Sequence, residues 1–172
     1  MKINDRLKKI GDLVDTNSFC LDVGCDHAFL DIYLVKKDEN IKYDFRETCF
    51  GIVYKNDMFY LTSKKGEPSL IGGGIEEGED PKVCLEREFM EEAGLTVTNI
   101  SEFVTVDCYW FTRSKVNMNS LANFYIVEVS DEEVEPTEAG HELVKVTKEE
   151  ILDLLPLPYH KKALEMYLED LK

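Results

Sequence analysis

Residues 72–95 read GGGIEEGEDPKVCLEREFMEEAGL: glycines, then a dense run of carboxylates, then an abrupt stop at another glycine. The stop signals predict a helix over 81–93. Asp80 can cap it, Pro81 suits its first turn, and Gly94 suits the left-handed position after its end. Leu85, Phe89 and Ala93 recur every four residues, as a core stripe does. Glu88 and Glu92 share that spacing, and Glu91 lies three beyond Glu88, so the carboxylates occupy one face or its shoulder. Like charges so placed repel in a free helix, so something positive must compensate them. Arg87 can reach Glu91 one turn on. For the rest, a hard divalent ion such as Mg2+ or Mn2+ fits, because it prefers oxygen ligands and binds through few carboxylates plus substrate phosphates. A solvated acidic helix face has the same spacing, and the helix alone does not separate the two. Gly72, Gly73, Gly74 and Gly78 favour the ligand reading, since such a loop lets backbone approach closely. The loop is neither a P-loop nor a GxGxxG fingerprint.

The segment resembles the signature of the Nudix (MutT-like) hydrolase family, Gly-x5-Glu-x7-Arg-Glu-U-x-Glu-Glu-x-Gly-U, with U a bulky apolar residue. Gly73, Glu79, Arg87, Glu88, Phe89, Glu91, Glu92, Gly94 and Leu95 fill every defined position. The resemblance covers about residues 43–172. It implies an α/β fold, the Nudix α/β/α sandwich with a mixed β-sheet. It also implies an acid anhydride hydrolase, a pyrophosphohydrolase dependent on Mg2+ or Mn2+. Such enzymes cleave the pyrophosphate linkage of a nucleoside diphosphate joined to another moiety, by attack of an activated water on phosphorus. By resemblance, Glu88, Glu91 and Glu92 are the main metal ligands and the carbonyl of Gly72 joins them. Glu79 assists ligation or orders its surroundings, and Arg87 orients the carboxylates. The general base in relatives is the glutamate at the Glu88 position or one from a later loop; here Glu138 and Glu142 are the loop choices, Glu142 preferred. Two departures stand out: Ile71 where many relatives have proline, and Lys145 where they often place an aromatic residue.

Bulk properties set limits. The chain has 172 residues, 44% apolar and 32% charged, enough for one moderate domain with a core. Its net charge of −15 argues against nonspecific duplex DNA binding, which rests on basic side chains. A phosphorylated substrate stays compatible, because a divalent cation bridges two negative partners. Cysteines at 20, 25, 49, 84 and 108 form no CxxC pair, which suggests reduced thiols. No apolar run reaches membrane-spanning length, and the N-terminus lacks a signal-peptide core, so the expected compartment is the cytoplasm.

Along the chain, strands are expected at 49–54 and 58–63 around a turn at 55–57, with a short extended piece at 69–71. Further strands are expected at 97–107, 109–111, 121–129 and 141–146, an acidic loop at 130–140, and helices at 148–155 and 160–171. Residues 1–40 form a separate extension before a domain at 41–172 and carry a net charge of only −2. Helices at 4–15 and 28–37 around a strand at 19–23 make it helix-strand-helix. Residues 6–37 resemble the N-terminal end of bacterial tRNA adenine-N1 methyltransferases, on Asp22, Gly24, Asp26 and His27. One strand and two helices cannot enclose S-adenosylmethionine, so the fragment is expected to be inactive, packing on the domain or mediating self-association. Cys25 and His27 have metal-binding chemistry in principle, but a local structural role is expected.

For the nucleobase, Phe45, Tyr109, Trp110, Phe111 and Tyr125 are the aromatic pool, and Arg46, Arg113, Lys115 and residues 117–119 could meet phosphate or base. Nucleoside triphosphates, modified nucleotides and nucleotide sugars all remain open as substrates. The alternative to an enzyme is a nucleotide-binding sensor on the same fold. Homodimerisation is open.

Overall fold

The computed structural model describes residues 20–23, 43–111 and 116–171. They fall into two compact units. The first holds strand β1 (Cys20–Val23), the start of β2 (Asp44–Lys55), and the stretches 105–111 and 117–122 of the long strands β6 (Leu95–Phe111) and β7 (Asn117–Glu133). There β1 pairs antiparallel with β6, Cys20 opposite Tyr109. The expected helices at 4–15 and 28–37 lie outside the described residues.

The second unit, residues 48–104 and 123–171, carries the sequence signature. Its α/β class is the one expected. Strand β3 (Met58–Lys64) is flanked by β2, β4 (Glu67–Ser69) and β8 (His141–Val146), while β5 (Ile71–Gly74) pairs with β2. The β2–β3 hairpin closes through Asn56 and Asp57, both with positive φ (52° and 61°), as a two-residue turn matched to strand twist requires. Pairing of β5 with β2 sets Gly72 opposite Phe50 and Gly73 opposite Cys49, and so fixes the glycine segment in the sheet.

Helix α1 spans Pro81–Ala93, capped by the Asp80 side chain on the Lys82 N–H and ended by Gly94 at φ 63°. Its stripe of Leu85, Phe89 and Ala93 is fully buried. Burying Leu85 and Phe89 is worth roughly 1.5–3 kcal/mol each. Repulsion between exposed i,i+4 carboxylates costs only about 0.2–0.5 kcal/mol, so packing decides where the acidic face points. The stripe seats on the sheet at Gly51, where a Cβ would lie 2.4 Å from the Phe89 ring and 2.9 Å from Val127. The chain ends in a one-turn helix α2 (Ile151–Leu154) and helix α3 (Pro158–Asp170), so the expected helix at 148–155 shrinks to a turn. The strands expected at 97–107 and 109–111 are one continuous β6, because Val106 and Cys108 are both fully buried and the alternation runs straight through. The acidic loop begins later than expected, since β7 runs on to Glu133.

Candidate active site

Arg87 is the hub of the acidic face. Its Nε and Nη2 donate to the two oxygens of Glu79 at 2.9 and 3.0 Å, a fork-to-fork pair. Nη1 donates to Glu88 Oε1 at 2.8 Å and to Glu91 Oε2 at 3.1 Å, and Nη2 also reaches the Gly74 carbonyl at 3.3 Å. One guanidinium thus ties the glycine strand, the loop before the helix and two helix carboxylates together. Glu79 also accepts from the Glu76 N–H, so both its oxygens are engaged away from the other glutamates. Arg87 holds the Glu79 carboxyl down to about 2.

Glu88 lies over Gly73, where a Cβ would come within 2.5 Å of its carboxylate oxygen and push the carboxylate aside. Burial raises the Glu88 carboxyl above its ordinary range, against the opposing pull of Arg87. Burial likewise pushes Glu92 up to about 7, opposed by the Gly72 N–H that donates to its Oε2 at 3.3 Å and aided by the charge of Glu88. Glu91 is more open, with 40% of its side chain exposed. Desolvated carboxylates beside a glycine strand, all offering oxygen donors, fit a hard divalent cation.

The loop after β7 folds back onto the end of α1. Val134 N–H donates to the Gly94 carbonyl at 3.0 Å, and Glu138 N–H to the Glu91 carbonyl at 2.8 Å. This brings Glu138 to the site, and Lys64 Nζ donates to its Oε1 at 2.8 Å. Glu92, Glu138 and His141 each present a donor atom within 4.8 Å of the others. Glu142 is not in that group. It is exposed on β8 next to His141, and successive strand side chains point to opposite faces. A cavity of about 690 Å³ opens along this loop, lined by Glu133, Glu135, His141, Glu142 and Lys145 among others. Lys145, which stands where relatives often place an aromatic residue, sits 4.7 Å above the Tyr60 ring and pairs with Glu133.

Of the expected base-binding pool, Phe45 and Arg46 are exposed at the start of β2, and Tyr125 belongs to the buried core. Residues 117–119 are half-buried on β7. Arg113, Lys115, Cys25 and His27 lie outside the described residues, and for Tyr109, Trp110 and Phe111 only the strand is described. Sequence reasoning gave no role to Thr62, Lys64 or His141. The available signal was a histidine opening a strand directly after a glycine-ended acidic loop.

A model of the NUDIX domain matches residues 45–169, and the chain belongs to the Nudix family. The family is one of hydrolases that act on pyrophosphate bonds in nucleotide substrates and typically use divalent metals. A model described as a methyltransferase domain matches residues 3–50. The NAD-capped RNA hydrolase NudC of Photobacterium profundum is 28% identical over 142 residues, 78% of this chain and 53% of that protein. The chain therefore spans about half the length of that relative. Among solved structures, a Nudix hydrolase from Nitrosomonas europaea is similar at TM-score 0.59 and 16% identity, over 74% of this chain and 90% of that one. The MutT Nudix hydrolase from Burkholderia pseudomallei is similar at TM-score 0.56 and 24% identity, over 71% and 97%. Among the described residues no helix is long and apolar enough to cross a membrane.

Proposed function

We propose that this hydrolase cleaves a nucleoside diphosphate joined to a second moiety, with Mg2+ or Mn2+ held by Glu88, Glu91, Glu92 and the carbonyl of Gly72. The observation that carries the reading is the division of labour around Arg87. The guanidinium engages Glu79, Glu88 and Glu91, while Glu92 stays desolvated and is pushed up to about 7. When bound, the ion neutralises the pyrophosphate and makes a water nucleophilic near neutral pH. Arg87 fixes Glu88 through one oxygen, and the other oxygen of Glu88 takes the proton of the attacking water. Glu79 acts through Arg87, as a positioning residue. Strand alternation turns Glu142 away from Glu92, which favours Glu88 over Glu142 as the base.

Hydrolysis is assigned to residues 41–172, and no methyl transfer to residues 1–40. The support is the antiparallel pairing of β1 with β6, because a methyl-donor fold of this type is built on a parallel sheet. Titration with S-adenosylmethionine by calorimetry should show no heat of binding; a saturable signal would restore that function. Self-association as a homodimer is read from the mass of the full chain by light scattering.

The decisive experiment is a hydrolysis panel with Mg2+ and with Mn2+, products separated chromatographically, and Glu91→Gln as control. The panel holds nucleoside triphosphates, oxidised nucleotides, nucleotide sugars and NAD, the last because a relative is named for NAD-capped RNA. Metal-dependent turnover lost in the control supports the assignment. Metal-dependent nucleotide binding with no turnover on any member would move the reading to a sensor.

A further inference from the structure

His141 has a side chain only 4% exposed, yet its Nε2 is buried with no hydrogen-bond partner. A ring nitrogen so placed loses its water without replacement, which is unfavourable. The tautomer can be read from its neighbours. Thr62 Oγ1 donates its single hydrogen to the main-chain oxygen of Glu92 at 3.2 Å. In its 3.0 Å contact with His141 Nδ1 the hydroxyl must therefore accept, and Nδ1 carries the hydrogen. In the neutral ring Nε2 is then a bare lone pair. It faces Glu138 Oε2 at 3.5 Å, acceptor against acceptor. The other oxygen of Glu138 is held by Lys64, and Oε2 of Glu92 by the Gly72 N–H. Main-chain bonds from Glu138 to Glu91 and from His141 to Glu138 fix the loop in this arrangement.

We propose that Glu92, Glu138 and His141 hold a divalent transition-metal ion, with His141 Nε2 as a nitrogen ligand. The inference rests on the reading of Glu92 as a metal ligand and adds a donor that the sequence signature does not contain. Metal-bound histidines donate their other ring N–H to an oxygen, and Thr62 supplies that oxygen. Imidazole suits Fe2+, Ni2+ or Zn2+ better than Mg2+, so the site selects for the softer ions, with Mn2+ the weakest binder of the divalent transition-metal series.

The test uses the tag-free full chain, Mn2+ as probe, and pulsed electron paramagnetic resonance on protein with natural-abundance and with nitrogen-15 histidine. A nitrogen coupling that changes with the isotope, survives His27→Gln and vanishes in His141→Gln is expected. His141→Gln should also weaken Mn2+ binding about tenfold while changing Mg2+ binding less than about twofold. If His141→Gln does not fold, a His27→Gln/His160→Phe double variant leaves His141 as the sole histidine, and any coupling then belongs to it. Mn2+ bound through oxygen alone would overturn the nitrogen ligand and leave the carboxylate reading standing. No Mn2+ binding would overturn both.

Discussion

Arg87 is the side chain on which the acidic face turns. A lysine keeps the charge but offers a point donor in place of a planar fork, so it cannot hold Glu79 bidentately and still reach Glu88 and Glu91. Arg87→Lys should lower kcat about a hundredfold, the scale of an ångström-sized misplacement, with a smaller change in KM. Steady-state kinetics on the best panel substrate reads this directly. Lys64 works in the opposite sense. It occupies one oxygen of Glu138 and its charge lowers that carboxyl's proton affinity, so Lys64→Met should leave Glu138 harder to ionise when no metal is bound. Nuclear magnetic resonance of the Glu138 carboxyl against pH would show its midpoint moving up.

At the scale of elements, the end of α1 governs both packing and site. Gly94 takes a left-handed φ, and a Cβ there would come within 1.9 Å of the Val134 carbonyl. Gly94→Ala should cost at least the roughly 1–2 kcal/mol of a left-handed non-glycine residue, and it should loosen the loop that carries Glu138. A lower Tm together with weaker Mn2+ binding is the expected pair of results. Both helix ends were legible in the sequence, because Asp80, Pro81 and Gly94 act locally. The grouping of Glu138 with Glu92 and His141 was not, since it depends on main-chain bonds between a loop and a helix about fifty residues earlier. The continuity of β6 was missed because Cys108 counts as apolar only once its burial is known. Helix α3 brings a titratable group into the core. His160 is fully buried among Phe50, Phe124 and Tyr159, with ring centroids 4.3, 5.8 and 4.6 Å away. Burial holds its imidazole down to about 3, below its usual 6.5. The folded state thus keeps it neutral while the unfolded chain takes up a proton below about pH 6.5. Stability is full above that pH and falls as pH drops toward 3, by up to about 1.4 kcal/mol per pH unit. Urea melts of His160→Phe between pH 7 and 4 should show a shallower decline than wild type.

For the whole molecule, the net charge of −15 attracts cations. A cation bound by the folded state alone stabilises by about 2.7 kcal/mol at a hundred times its Kd. Thermal melts should therefore rise with Mn2+ and fall back on chelation, and Glu92→Gln should blunt the response. The contact of Gly51 with Phe89 carries a separate consequence. With no side chain there, the helix rests on bare backbone, and that rest sets the height at which its glutamates stand above the glycine strand. A methyl at position 51 would act as a shim under the helix. Gly51→Ala should cost about 1–3 kcal/mol from overpacking. It should also depress turnover more than Tm alone explains, although it alters no carboxylate. Catalytic alignment in this fold is thus a matter of thickness, gauged from the far side of the core.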